Sequence, residues 1–423
     1  MTVERVDTLV VGGGQAGLAM SAHLSRQGIA HLVLERARVA ERWRSARWDS
    51  LVANGPAWHD RFPDMAYPAC GPEGFPGKEA VADYFEAYAR KIAAPIRCGV
   101  AVERVRRLDG RSGFIVETSE GAMEAERIVV ATGPFQRPMI PPLLPADAGV
   151  AQLHSRDYRN PDALAEGAVL VVGAGSSGAQ IAEELCRAGR RVFLSVGPHH
   201  RPPRRYRGRD YVWWLGVLGK WDAVAPTADT AHIAISVTGA RGGRTVDFRR
   251  YAAEGVTLLG MASGYRDGAM QFAPDLAQHL AEGDANYRSV LAEADAWIAQ
   301  NGGVLPGDFP EEPEAHEIPP DPPCVVAPIL SLDLAEAGIA TVLWATGYAR
   351  DDSWLQVDAF DTAGRPDHVR GVSRAQGVYF LGLPWLSRRG SAFIWGVWHD
   401  AGYLADQIAI QRSYMAYRPV TGA

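Results

Sequence analysis

Two glycine turns, beginning at Gly12 and Gly173, limit what this chain of 423 residues can fold into more than any other feature. Thr8-Leu9-Val10-Val11 reads as a buried strand. It runs straight into Gly12-Gly13-Gly14-Gln15-Ala16-Gly17 and gives way to Leu18, Met20, Ala22, His23 and Leu24, a helical continuation. In a strand, tight turn and helix of this kind, the first glycine permits the reversal and the second lets a pyrophosphate approach the backbone. The third lets helix and strand pack closely. Free N–H groups at the helix start, from Gln15 and Ala16 onward, present the positive end of the helix dipole to phosphate. A second strand over 29–34 ends in Glu35, 18 residues beyond Gly17, where a carboxylate accepts a hydrogen bond from a ribose 2′-hydroxyl.

The pattern then returns. Ala168-Val169-Leu170-Val171-Val172 leads into Gly173-Ala174-Gly175-Ser176-Ser177-Gly178, and 181–185 continues as helix. Two such units predict an α/β chain with two Rossmann-type dinucleotide-binding domains, one for a tightly held cofactor and one for an exchangeable one. The copies differ in one respect. Counting 18 residues from Gly178 reaches Val196, between Ser195 and Gly197, with no carboxylate, while His199, His200, Arg201, Arg204 and Arg205 follow. Arginine at that place suits a 2′-phosphate, so Arg201 and Arg204 are expected to select a phosphorylated nicotinamide dinucleotide. The plain alternative is a solvated basic loop.

Composition removes other classes. Lys plus Arg number 43 against 49 Asp plus Glu, and the net charge of −6 gives no general attraction to nucleic acid or to an anionic membrane. Cys70, Cys98, Cys186 and Cys324 form neither a CxxC nor a metal-ligand pattern, so no metal is expected. No apolar run reaches the ~18 residues of a membrane span. Residues 1–7 meet the first strand at once, which leaves no room for a signal peptide, and the expected location is the cytoplasm.

Between the glycine turns, the Arg- and Trp-rich stretch 41–49 leads into Ser50-Leu51-Val52-Ala53-Asn54-Gly55-Pro56. It reads either as a loop over the reactive end of a cofactor or as tryptophans plugging the surface. A helix is expected over 78–92 and a meander of short strands over 96–130, ending at Ala131-Thr132-Gly133-Pro134. Residues 206–221 are read as core of a small inserted element, with the wall of a substrate pocket as the alternative, and 244–259 as a crossover. Residues 273–300 are read as two helices split near Gly283, with Asp284 as N-cap. The proline-rich stretch 302–328 is read as a linker back to the first domain, followed by strands at 339–343 and 378–382 and a closing helix over 397–410. The expected division is 1–160, 161–328 and 329–423, a discontinuous first dinucleotide domain with the second inserted.

The order GxGxxG, ATG, GxGxxG, ATGY resembles the class B flavoprotein monooxygenases, the flavin-containing monooxygenase family with its auxin-forming plant relatives and bacterial homologues. The resemblance spans nearly the whole chain. It implies FAD on the first loop, with Arg36, Trp43, Thr132, Gly133 and Gly382 as further contacts, and NADPH on the second, where NADH is also usable. Thr346 and Gly347 stand in the hinge motif. Asn54 occupies the place of the asparagine that supports the flavin peroxide. The implied reaction inserts one oxygen atom from O₂ into a small organic substrate through a flavin C4a-hydroperoxide, by N- or S-oxygenation or oxidative decarboxylation. Of the family fingerprint FxGxxxHxxx(F/Y/W), His154 and Tyr158 fit, whereas Ala148 and Val150 replace its Phe and Gly. The fuller Baeyer-Villiger version is absent, which leaves a Baeyer-Villiger enzyme as an alternative, beside a non-catalytic flavin and NAD(P)H sensor or an NAD(P)H oxidase. A disulfide reductase lacks its thiol pair here. Trp58, Trp213, Trp385, Phe393 and Trp395 are the expected pocket contributors, and a homodimer is compatible with the reading.

Overall fold

In the computed structural model, residues 3–225, 234–302 and 309–418 are described. The first strand, β1 (Glu4–Val11), goes from exposed to fully buried along its length, with Leu9 and Val10 wholly inaccessible. It feeds α1 (Gln15–Arg26) and then β2 (His31–Glu35), which lies parallel to β1. A second helix, α2 (Lys78–Lys91), buries Val81, Tyr84, Phe85 and Tyr88, the i, i+3, i+4 and i+7 face expected of an amphipathic helix. Next come β3 (Ile96–Cys98) and the meander β4 (Val102–Arg107), β5 (Phe114–Thr118) and β6 (Gly121–Val130).

The second unit repeats this plan. Strand β7 (Ala151–His154) precedes β8 (Ala168–Val172), α3 (Ser176–Arg187) and β9 (Val192–Ser195). Helices α4 (Tyr211–Val217) and α5 (Phe248–Ala253) and strand β10 (Thr257–Leu259) follow, then α6 (Leu276–Asn301) and β11 (Ile339–Trp344). The chain closes with β12 (Val378–Phe380) and α7 (Ile394–Ala416). Two sheets result. One has the parallel order β12-β6-β1-β2-β3 with antiparallel additions at its edges, and the other is β10-β9-β8-β11-β7, parallel throughout.

The structure corrects two readings of the sequence. Strands β7 and β11 both belong to the second sheet, so the chain does not return to the first unit at 328; it crosses at 131–150 and again after Trp344. Nothing in a strand's own residues names its neighbours, and β11 finds its place by lying parallel to β8 and β7 at once. Helix α6 is continuous through Gly283 and begins after Asp275, whose side chain accepts from the Met261 N–H at 2.9 Å instead of capping the helix. A Cβ at Gly283 would sit 2.8 Å from His199 Nε2, so the glycine marks close packing, and Asp284 is engaged with arginine instead of capping. Pro306 and the rest of 303–308 lie outside the described residues.

The two crossings are tied together. Arg137–Pro138 pairs antiparallel with Tyr348–Ala349, and the Met139 N–H donates to Gly347 O at 3.0 Å. Thr346 donates its hydroxyl to Met139 O. His154 Nδ1 accepts from the Arg156 N–H at 3.1 Å, which leaves Nε2–H to donate to Gly347 O at 3.0 Å. The Thr346-Gly347 stretch is thus a clasp between the units.

Candidate active site

The two glycine turns have the same internal geometry. A Cβ at Gly17 would meet Gly12 O at 1.9 Å, and one at Gly178 would meet Gly173 O at 1.8 Å, so each third glycine is obligatory where helix crosses turn. Gly12 and Gly173 both take positive φ, 112° and 115°, against the chain that follows the adjacent strand. Neither α1 nor α3 has a side-chain cap, so the first N–H groups of each are available to an anion.

The turns differ in what stands before the second glycine. A Cβ at Gly14 would meet nothing within 4 Å, an open cradle that fits a dinucleotide pyrophosphate. Glu35 is oriented beside it by the Gly13 N–H at 2.7 Å and the Ala37 N–H at 3.0 Å. Gly382, at φ 78°, packs against Ala16, and Gln15 reaches Ala392 O at 2.7 Å, so the start of α7 lies beside the start of α1. At Gly175 a Cβ would instead come 3.4 Å from the Ala234 methyl. The segment from Ala234 runs along α3: Ser176 donates to Ile235 O at 2.7 Å, and Gln180 Nε2 donates to Val237 O at 2.9 Å.

Arg201 and Arg204 are not the free cations expected of them. Both are buried. Arg201 binds Asp284 at 2.6 Å and Asp247 at 3.3 Å, and Arg204 makes a two-pronged pair with Asp210. Both guanidinium groups point into buried carboxylate pairs, whereas a 2′-phosphate would need a donor open to the cleft. Arg204 has a different task, donating to the Asn54 backbone oxygen at 2.6 Å. Asn54 therefore lies where the units meet, with its Oδ1 accepting from Gln180 Nε2 at 2.9 Å.

Sequence reading missed Gln180, which a hydrogen-bonding side chain two residues after the third glycine could have signalled. The Arg-rich stretch noted in the sequence forms a cationic cluster with Arg36 and Arg156. Burial and the nearby Arg36, Arg156 and Arg47 push the Arg42 guanidinium down to about 10, and Arg42 donates to Phe135 O. Arg47 lies over the Trp43 and Phe135 rings at 5.8 and 5.6 Å. Like charges held this close suit an anionic ligand.

The aromatic contributors separate. Trp58, Phe393 and Trp395 gather around His59 and Trp221, with His59 stacked at 5.1 Å on Trp221 and 5.3 Å on Trp395. Trp213 packs away from them on Trp214, Trp297 and Phe309, and Trp385 lines another cleft of about 830 Å³ with Arg350, Asp352 and His368. Among the described residues all four cysteines are free thiols, and no helix is long and apolar enough to cross a membrane.

His199, at 1% exposure, carries the site's clearest acid sensitivity. Burial, then the nearby Arg201 and His279, lowers its pKa to about 4 despite its bond to Gly197 O and the proximity of Asp284. A histidine with a lowered folded pKa keeps its full stability contribution above about pH 6.5 and loses it as pH falls toward 4. Unfolding free energy should fall by on the order of 3 kcal/mol across that window from this group, and a His199→Leu variant should show a shallower fall. An identical slope in the variant would contradict this.

Two open-ended Rossmann cradles joined by a clasp define a two-dinucleotide oxidoreductase fold. The sequence matches the pyridine nucleotide-disulphide oxidoreductase family over residues 9–215. It is 36% identical to a CzcO-like oxidoreductase of Geobacillus kaustophilus over 408 residues, 95% of this chain and 98% of that one. It is 32% identical over 242 residues to the indole-3-pyruvate monooxygenase YUCCA1 of Oryza sativa subsp. japonica, covering 55% of this chain and 59% of the other. A flavin-containing monooxygenase from Stenotrophomonas maltophilia superposes with a TM-score of 0.65 at 22% identity, covering 98% of this chain and all of that one. The chain belongs to the family of the CzcO-like oxidoreductases, one of which it matches over 95% of its length, and it shares its fold with flavin-containing monooxygenases. The pyridine nucleotide family match and the flavin monooxygenase fold are consistent with FAD and NADP(H) as cofactors.

Proposed function

We propose that the protein is an FAD-dependent, NADPH-oxidising monooxygenase that transfers one oxygen atom from O₂ to a small organic substrate. The observation that carries this reading is the placement of Asn54, held from the second unit by Gln180 and Arg204 while its loop belongs to the first. FAD would rest on Gly12, Gly14, Gln15, Ala16 and Gly17, with Glu35 at the ribose. NADPH would rest on Gly173, Gly175, Ser176, Ser177 and Gly178. When bound, FAD supplies the redox and O₂-activating chemistry and NADPH supplies the hydride.

The chain's own part is orientation and exclusion of water. The Asn54 amide donates a hydrogen bond without changing protonation state, and so opens no proton path at the reacting centre. The cluster of His59 stacked on Trp221 and Trp395, with Trp58 edge-on to His59, would help to keep water from the reacting centre, as oxygen transfer requires. The name of the rice relative, an indole-3-pyruvate monooxygenase, and Arg389 against Tyr211 beside these rings favour aromatic 2-oxo acids as the first substrates to screen, ahead of amines and sulfides. By sheet membership, the nicotinamide dinucleotide unit extends from β7 to β11, and the FAD unit holds the remainder.

Asn54→Ala tests the reading. Flavin content and its reduction by NADPH should stay within about twofold of wild type, while H₂O₂ formed per NADPH rises about tenfold, the scale of one lost hydrogen bond. Unchanged coupling in the variant would sink the assignment.

A further inference from the structure

We propose that Gln180 is a positioning residue which, with the backbone carbonyl of Val237, fixes which end of the Asn54 amide faces the reacting centre. The proposal rests on the role assigned to Asn54. A backbone carbonyl only accepts hydrogen bonds. Val237 O receives Gln180 Nε2 at 2.9 Å, so it is the amino end of Gln180 that must point toward that carbonyl. The same Nε2 lies 2.9 Å from Asn54 Oδ1, and a donor there obliges Asn54 to present its carbonyl. The Asn54 NH₂ is then turned away from Gln180 and left to donate. The orientation of three groups follows from the one that cannot be reversed.

The surrounding structure holds each member in place. Gln180 is buried on α3, four residues after Ser176, so the two share a helix face, and both bind the segment beginning at Ala234. That segment is anchored independently: Ser236 donates its hydroxyl to Ala174 O and its N–H to His200 O at 2.8 Å. A Cβ at Gly239 would lie 2.1 Å from Ala53 O, so the segment continues directly against the Asn54 loop. Arg204 fixes the Asn54 backbone, which leaves the side-chain amide as the remaining freedom, and Gln180 removes it.

Gln180→Glu keeps the shape and reverses the polarity. A carboxylate is repelled by Val237 O and accepts from Asn54, turning the Asn54 carbonyl toward the centre. Gln180→Met keeps the length and supplies neither donor nor acceptor. In the flavin-loaded protein, Gln180→Glu should raise H₂O₂ per NADPH about tenfold, with Gln180→Met between it and wild type. NADPH-dependent flavin reduction should remain within about twofold, since the hydride step does not use this bond. The visible band of the oxidised flavin should shift in Gln180→Glu and shift less in Gln180→Met, a readout that needs no turnover. Asn54→Ala combined with Gln180→Glu should release no more H₂O₂ than Asn54→Ala alone, because both act through one amide. If Asn54→Ala uncouples while Gln180→Glu matches wild type in coupling and spectrum, the relay is wrong and the role of Asn54 stands. If Asn54→Ala itself stays coupled, the role of Asn54 falls, and the relay falls with it unless the spectrum still moves.

Discussion

Gly17→Ala should yield a colourless, less stable protein with at least about a tenfold loss of FAD affinity, or about 1.4 kcal/mol of binding. A methyl at Gly17 would be placed 1.9 Å from Gly12 O, a backbone atom that cannot retreat without opening the turn. Opening it moves the N–H groups of α1 away from any phosphate they would bind. Gly14→Ala separates the two consequences. Its methyl meets no protein atom within 4 Å, so unfolding of the flavin-free chain should be unchanged while FAD binding weakens, because the methyl occupies cofactor space. Titrating FAD into both apoproteins and measuring their unfolding midpoints checks this. A Gly14→Ala protein that binds FAD as wild type does would remove the pyrophosphate from that cradle.

Arg204→Met should cost about 3–5 kcal/mol, since it leaves the Asp210 carboxylate buried without its counter-charge. Asp210 also caps α4 through the Val212 N–H at 2.9 Å, so its side chain cannot simply swing out to water. Arg204→Met combined with Asp210→Asn keeps the cap and removes the unpaired charge, and should recover most of the stability. It should not restore coupling, because the Asn54 backbone oxygen still lacks its 2.6 Å donor. Thermal unfolding and H₂O₂ release, measured on the single and double variants, separate the two roles. A single variant as stable as wild type would contradict the buried pair. A well-coupled double variant would contradict the positioning role.

Both glycine turns were legible because their constraint is local: a strand end, three glycines at fixed spacing and a helix start lie within a dozen residues. The meander and the closing helix were legible for the same reason, through the period of their apolar residues. Arg201 failed because its partner Asp284 lies 83 residues away on a helix whose continuity Gly283 concealed. Arg204 was within reach: Asp210 follows six residues later across a short hairpin, and an arginine and an aspartate at such a spacing pair readily. Basic residues after a Rossmann strand suggest a phosphate partner only while no carboxylate claims them first. The sheet assignment of β11 failed for another reason, since a buried parallel strand reads as a plain apolar run whichever sheet receives it. Trp213 and Trp385 were grouped with the pocket by residue type alone, and type does not fix direction.

On the proposed function, NADPH should deliver hydride to a flavin held on the first cradle, and the reduced protein should then pass oxygen to a substrate. The most direct measurement is the visible spectrum of the purified yellow protein under anaerobic NADPH, followed by admission of O₂ with and without an aromatic 2-oxo acid, amine or sulfide. NADPH should bleach the flavin band, O₂ should restore it, and H₂O₂ per NADPH should fall when an accepted substrate is present. A flavin that stays oxidised under NADPH would contradict the proposed function.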